Sequence, residues 1–534
     1  MSTAHAGANP AAATVAAANP LRIKTLTLTD FRAFPGPAPQ AIEFDGKNLL
    51  VYGENGSGKS SVFYALSEMF SLKAIRSLRD YKNVFSGEPD TGCSVEVKFT
   101  DSLSSARWEI VASPLPGGGA SGLSIARTRE RHPGRTIGST DQRITQAALR
   151  RACLDYRSLL DTNYKHGADA INLFDIAVNN LLDDYAVAVA GGTSQTIGDL
   201  WRAVQRAKPL KHTPSSLAAV NQACANFNAG FNAALSALQP IVTTLLADLP
   251  GTGIAFTPLA FAGVTYSAAR YKRDRGFSGK TLNPEIRFRS HPVNTPQHFL
   301  NEARLSALAL AIYLAGRLAC TPAVASDVLK LLVLDDVLIG LDHANRLPVL
   351  DLLTKHFATW QIVLLTHDRS WFDMARGWLE ETAWHCVEIF EGDALASAPM
   401  PVVRATANYP AKQYLEHAKK MLSDHYVEAS ANYARQAFEA VLRGECQRKG
   451  IPVAFQQNSK DVKAEVLLKA VEDWAGLTVA RQKQFGPVLT RLRQIRNVVM
   501  NPYSHPMAPN IPTTEVLNAI SDVEKLINAF AAKP

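Results

Sequence analysis

Nine residues constrain this chain more than any others: Gly53-Glu-Asn-Gly-Ser-Gly-Lys-Ser-Ser61. Before them, Asn48-Leu-Leu-Val-Tyr52 is a short apolar run of the kind that forms a strand buried on both faces. After them, Val62, Phe63, Leu66, Met69 and Phe70 recur at helical spacing. The segment therefore reads as strand, glycine-rich loop and helix, with Gly53, Gly58, Lys59 and Ser60 in the pattern G-x-x-x-x-G-K-S.

Each residue type has a physical role in such a loop. Gly53, Gly56 and Gly58 let the backbone turn sharply, so that successive N–H groups face a phosphate. The helix starting near Lys59 adds the positive end of its dipole. Lys59 is placed to reach the β- and γ-phosphates, and the Ser60 hydroxyl to ligate Mg²⁺. Asn55 and Ser61 belong to the same stretch and complete the expected nucleotide contacts. The implied ligand is ATP or GTP.

A chain of 534 residues is expected to hold two or three domains. No apolar run approaches the ~20 residues of a membrane span, so no membrane partner is expected. Residues 1–20 are Ala-rich and lack Lys and Arg, which reads as a disordered tail without the basic start of a signal peptide; the expected location is cytoplasmic. The cysteines at 93, 153, 224, 320, 386 and 446 form no C-x-x-C pair, which suggests neither a zinc site nor a disulfide framework. A solvated surface accounts for the net charge of +8 nearly as well as a nucleic-acid partner would.

Leu21 to Leu28, Ala41 to Phe44, Cys93 to Thr100 and Arg107 to Ala112 read as strands, the last two antiparallel. Arg127 to Arg135 is strongly basic and reads as a solvated loop. Residues 142–249 read as a mostly helical insert without long heptads. Ile254 to Phe288 turns strand-like around a Gly/Lys/Arg-rich hairpin, and no chemistry is assigned to it. Phe299 to Ala319 is an Ala/Leu-rich helix expected to be deeply packed. Val328 to Asp336 and Gln361 to His367 are apolar strands ending in two acids and a histidine, the strand-end position at which α/β sheets bind ligands. From there Asp335 can hold Mg²⁺, Asp336 can position or deprotonate the attacking water, and His367 can hydrogen-bond the γ-phosphate. After a linker at 403–410, residues 411–534 read as a second, helical domain.

These motifs, in this order, resemble an ABC-type ATPase of the RecF/SMC kind over about residues 20–390. Gly53 to Ser60 resembles the Walker A motif, Leu331 to Asp336 the Walker B motif, and Ile339-Gly-Leu-Asp342 the D-loop. His367 stands as the switch histidine, and Leu300-Asn-Glu-Ala-Arg304 stands where the family has its LSGGQ signature. The chain departs from the family in carrying Asp336 for the usual Glu, Asn301 for the signature serine, and Glu302 and Ala303 for its glycines. No glutamine is assigned to the family's Q-loop; Gln142 and Gln146 stand only nearby. The resemblance implies an α/β P-loop head, with a mixed sheet and the helical insert, over 21–402. It also implies ATP sandwiched between Lys59 of one copy and Asn301 of another, hence a head-to-tail homodimer or higher oligomer.

In the helical domain, Arg435 and Glu439 stand one turn apart and His505 follows later. A guanidinium, a carboxylate and an imidazole form a workable metal-free ribonuclease set, while spacing alone favours an exposed ion pair and a helix-end or loop histidine. A head of this kind fused to such a domain resembles the anticodon nucleases of the PrrC and RloC kind, which carry HEPN-like domains. Arg496 and Asn497 resemble the R-N-x-x-x-H element of those domains, with Asn501 at its histidine position. The expected function is an ATPase whose nucleotide-driven dimerisation controls a nuclease in anti-phage defence, with tRNA as the candidate substrate of its own C-terminal domain. The alternatives are a sensor ATPase holding a separate effector nuclease, as in Septu- or retron-type systems, and a RecF-like repair clamp on DNA.

Overall fold

Asn48–Gly53, Leu331–Asp335 and Gln361–Thr366 are buried almost throughout, because their unbroken Leu/Val/Ile runs leave no polar face for water. They lie side by side as parallel neighbours in one sheet. Its six strands run in the order Val402–Thr406, Trp384–Phe390, Asn48–Gly53, Gln361–Thr366, Leu331–Asp335, Arg151–Asp155. The computed structural model describes residues 20–532 apart from 72–78, 88–91, 102, 104, 114–121, 128–140, 149–150, 157–158, 160–170, 189–193, 250, 270, 321–327, 381, 393–398, 407–409, 455–462 and 497–511. The Ala-rich tail, the basic run beyond Arg127 and His505 lie outside the described residues.

An antiparallel five-stranded sheet, ordered Gln40–Glu43, Ile23–Thr29, Ser94–Phe99, Ala106–Ser113, Gly122–Arg127, lies within the same core. Gln361 ties the two sheets together. Its buried amide accepts the Ile23 N–H at 2.6 Å and donates to the carbonyls of Ile23 at 2.9 Å and Lys47 at 2.7 Å. The expected architecture, an α/β head with a mixed sheet followed by a helical C-terminal region, is the one found.

The region expected to be mostly helical differs in detail. Helices Ile197–Arg206 and Pro214–Ala247 fill its second half, each started by a threonine capping box at Thr196 and Thr213. Arg151–Asp155, however, is a strand that joins the main sheet parallel to Leu331–Asp335, pairing Asp155 with Asp335. With only Ala152, Cys153 and Leu154 between its polar ends, the strand is too short to declare its period, and pairing with its one neighbour, Leu331–Asp335, decides its conformation.

The Ala/Leu-rich helix runs Glu302–Cys320 and is buried on nearly every side. It and Pro214–Ala247 are both long and apolar enough to cross a membrane, which departs from the expectation of no such run; 83% of the most apolar stretch of Glu302–Cys320 is buried inside the protein, against 44% for Pro214–Ala247. In the second of two compact units, which gathers Arg376–Cys386 and Arg404–Pro534, the helices Pro410–Ser423, Val427–Arg448, Ala464–Gly476, Val479–Ile495 and Thr513–Ala531 share one core. Small residues such as Ala418, Ala431 and Ala434 let two of them approach closely enough for Ser430 Oγ to donate to the Ala418 carbonyl at 2.7 Å.

Candidate functional site

The buried strand Asn48–Gly53 delivers the chain to the glycine-rich loop. Gly56 and Gly58 hold φ of 92° and 95°, a region that strains residues bearing a Cβ. Gly53 is needed for space: a Cβ there would lie 2.4 Å from Ser57 Oγ and 3.2 Å from the Ile389 carbonyl oxygen. Ser57 Oγ is buried without a hydrogen-bond partner among the described residues, an unmet donor inside a loop of N–H groups. Asn55 is exposed at the crest. Ser61 is buried, and its Oγ accepts the Ala33 N–H at 3.3 Å.

The sheet register brings the acids to this loop. Lys59 Nζ, 5% exposed, donates to Asp335 Oδ1 at 3.2 Å and to Asp336 Oδ2. Ser60 Oγ donates to Asp335 Oδ2 at 3.1 Å. Asp336 Oδ1 accepts the His367 N–H at 3.0 Å and lies 3.0 Å from His367 Nδ1. Asp336 sits at φ 54°, a conformation that costs a non-glycine residue about 1–3 kcal/mol and concentrates at working sites. Lys59, Ser60, Asp335, Asp336 and His367, drawn from three strand ends, thus form one connected cluster.

Burial is the largest influence on Asp335 and pushes its carboxyl above the usual carboxylate range, aided by Asp336 and opposed by Lys59. A carboxyl raised in the folded state contributes stability that is complete below its unfolded value, near 3.9, and is lost as pH rises through the folded value. Thermal melts of the nucleotide-free protein should therefore show the difference between wild type and Asp335→Asn turning against wild type as pH rises from about 4 to 7. A constant difference across that range would contradict this.

The donors fit a magnesium triphosphate. Ser60 Oγ and Asp335 Oδ2 are hard oxygens of the type Mg²⁺ takes, while the left-handed glycines and the orphaned Ser57 hydroxyl suit a phosphate.

Asn301 caps the Glu302–Cys320 helix: its Oδ1 accepts the Arg304 N–H at 3.1 Å and its carbonyl accepts the Leu305 N–H at 3.0 Å. The turn at Ile339 to Asp342 packs on that helix so closely that a Cβ on Gly340 would sit 2.3 Å from Ser306 Oγ. Arg346 joins this turn to the histidine end, donating to the Leu341 carbonyl at 2.9 Å and to Asp368 Oδ2 at 2.6 Å.

Two further features escaped sequence reasoning. The Phe31–Phe34 turn lies against the loop, where a Cβ on Gly58 would meet Ala33 Cβ at 2.9 Å. Beside it Arg32, at φ 51°, stacks 4.1 Å over Tyr64 of the Lys59–Met69 helix. The run Phe31-Arg-Ala-Phe34 is plain in the sequence, but only the fold shows what it abuts. Asp155 ends the strand next to Asp335; a strand end hidden in a helical reading carries no signal. Gln142 and Gln146 line a depression with Leu21, Thr100 and Val328, near the start of that sheet rather than beside Asp335.

In the C-terminal unit, Arg435 Nε and Glu439 Oε1 are 2.9 Å apart with side chains about one-third exposed. Arg493 pairs with Glu472, and Arg496 Nη2 lies 3.6 Å from Glu465 Oε2.

The model of the RecF/RecN/SMC N terminal domain matches residues 22–383. Similar solved structures include the recombination mediator protein RecF with ATP (13% identity, TM-score 0.41, covering 73% of this chain and 98% of that one). Another is an Smc head domain with an extended coiled coil, bound to the C-terminal domain of ScpA, from Pyrococcus furiosus (14%, 0.39, 76% and 100%). A third is the SMC head domain from Thermotoga maritima (17%, 0.32, 71% and 98%). No curated protein matches.

Proposed function

Because the chain belongs to the RecF/RecN/SMC N-terminal domain family, its head is an ATPase of that class, and we propose that ATP-driven pairing of two copies controls a nuclease activity in antiviral defence. The observation that carries the nucleotide chemistry is the convergence of Lys59, Ser60, Asp335 and Asp336 within hydrogen-bond reach.

The backbone N–H groups from Gly53 to Ser61 and the start of the Lys59–Met69 helix cradle the phosphates. Ser60 and Asp335 hold Mg²⁺, which when bound offsets charge on the phosphate oxygens. Lys59 bridges both acids in the nucleotide-free state. Its transfer to the phosphates releases Asp336 Oδ2 to take a proton from the attacking water, while His367 keeps the other carboxylate oxygen in place. Asp336 is one methylene shorter than the usual glutamate, so turnover is slow.

Asn301 of a second copy completes the pocket. Phe299 and Ile339, 58% and 37% exposed, flank it with apolar surface that supports association of two copies. Moving a pair from 1:99 to 99:1 closed needs about 5.5 kcal/mol of differential binding, within reach of two triphosphates each contacted from both sides. Hydrolysis reverses the closure. The protein acts in the cytoplasm.

The reading assigns tRNA cleavage to Arg435, Glu439 and His505 of the C-terminal domain. A second reading, in which the helical domain docks a separate nuclease, is favoured by the Arg435–Glu439 ion pair, which occupies both side chains. Incubation of the wild type, Glu439→Gln and His505→Ala proteins with total tRNA and ATP separates them. Cleavage by wild type alone is the expected result. Cleavage by none supports docking, and cleavage by all three removes these residues from the chemistry.

A further inference from the structure

The strands Ile286–Phe288 and His291–Val293 form a two-residue hairpin with Arg289 and Ser290 at its tip. Both tip residues hold positive φ, 47° and 74°. Such a tip normally carries Asn-Gly or Gly-Gly, because side-chain-bearing residues are strained in it. Here the strained position carries an exposed arginine.

We propose that Arg289 is a cation supplied in trans, reaching the triphosphate bound by Lys59 of a second copy of this chain. The inference rests on the two-copy site described above and names a further residue of it.

Three independent observations point the same way. The first is location. Arg289 lies 5.4 Å over the Phe288 ring, and Arg304 lies 5.0 Å over the same ring. Arg304 donates its backbone N–H to Asn301 Oδ1, so the hairpin tip and the Asn301 cap share one aromatic platform. Exposed Phe299 packs edge-on against that platform at 5.4 Å.

The second is charge. Among the described residues, neither Arg289 nor Arg304 has a carboxylate within ion-pair distance; Arg304 spends its Nε on the Thr252 carbonyl at 3.2 Å. Glu302, close in sequence, is engaged by the Tyr156 hydroxyl. Two guanidiniums on one ring without a counter-charge repel each other until an anion arrives. A triphosphate is such an anion, and the planar fork of Arg matches its oxygens.

The third is bracing. Arg289 N–H donates to the Gly253 carbonyl at 3.0 Å. Gly253 itself sits at φ 63°, where a Cβ would approach Phe288 Cε2 to 3.2 Å. The tip is thus held by the turn that carries Thr252, the same turn that accepts Arg304. A strained, exposed and braced arginine beside the Asn301 cap is arranged to meet something outside its own subunit.

The test uses full-length Arg289→Asn, since Asn tolerates the left-handed conformation and spares the backbone, with Arg289→Lys retaining the charge. In the Asp336→Asn background, Arg289→Asn should weaken ATP-dependent pairing by about 10- to 100-fold, the worth of a charged hydrogen bond, and Lys should restore part of it. The decisive measurement mixes Lys59→Ala protein with Arg289→Asn protein. Only an arginine acting in trans leaves one composite pocket intact in the mixed pair, so turnover should exceed the sum of the two variants alone. Pairing without recovery overturns the role of Arg289 and leaves the two-copy site standing. Absence of ATP-dependent pairing in Asp336→Asn itself overturns both. Normal pairing by Arg289→Asn with weakened binding of single-stranded nucleic acid assigns the tip to that ligand and overturns the proposal.

Discussion

Asp336→Asn is expected to bind Mg–ATP as wild type does and to hydrolyse it about 10²- to 10⁴-fold more slowly, the usual contribution of a positioned general base. The substitution is nearly isosteric. Its one carbonyl oxygen can still accept from Lys59, while its NH2 replaces the oxygen that accepted the His367 N–H; the Ser60–Asp335 hydrogen bond does not involve residue 336 and is kept. What disappears is the capacity to take a proton. Steady-state phosphate release together with equilibrium ATP binding separates the two effects. A variant that loses affinity in proportion to turnover would place Asp336 in binding rather than in chemistry.

Lys59→Ala is expected to have the larger effect on the molecule as a whole. Lys59 is the shared cation of Asp335 and Asp336, and all three are largely buried. Its removal leaves two carboxylates facing each other in a poorly solvated pocket. Breaking one side of a buried ion pair costs about 3–5 kcal/mol, so the nucleotide-free variant should melt well below wild type at neutral pH. Acidification should recover part of the loss as Asp335 protonates. The same variant should show no measurable ATP binding and no thermal shift on adding Mg–ATP. Wild-type stability in the nucleotide-free variant would mean that Lys59 does not carry the charge balance of the cluster.

The two effects together describe a loop whose lysine has two successive partners. Without nucleotide it screens the acids. In the proposed mechanism it leaves them for the phosphates when nucleotide binds, and Asp336 then serves as the base. The backbone of Asp336, at φ 54°, suits that role. From this turn the carboxylate meets both Lys59 and His367.

Much of this arrangement is legible without coordinates. The glycine-rich loop announces itself because only glycines satisfy the φ of 92° and 95° at Gly56 and Gly58 and the clearance at Gly53. Leu331–Asp335 and Gln361–Thr366 announce themselves because central strands bury both faces. The acids and the histidine follow from standing at the ends of those runs.

The features that sequence conceals depend on partners distant in the chain. Arg151–Asp155 is too short to show a period, and only its neighbour Leu331–Asp335 makes it a strand. Asn301 reads as one residue of a long apolar helix until its side chain is seen capping Arg304, which moves the helix start to Glu302. Arg32, Arg289 and Arg346 are single arginines each beside at least one apolar residue, and nothing in their immediate sequence marks one from another. One stacks on the loop helix, one crowns a strained hairpin beside Asn301, and one ties the Ile339 to Asp342 turn to Asp368. No local pattern separates them, because each acquires its meaning from an element tens or hundreds of residues away.

The mechanism as a whole requires that a triphosphate held by Lys59 be completed by a second copy of the chain. Light-scattering mass of Asp336→Asn, measured with and without Mg–ATP, reads this out without any coupled assay. The mass should double on adding ATP and stay monomeric when Lys59→Ala is combined with Asp336→Asn. An unchanged mass at saturating ATP would contradict the two-copy site.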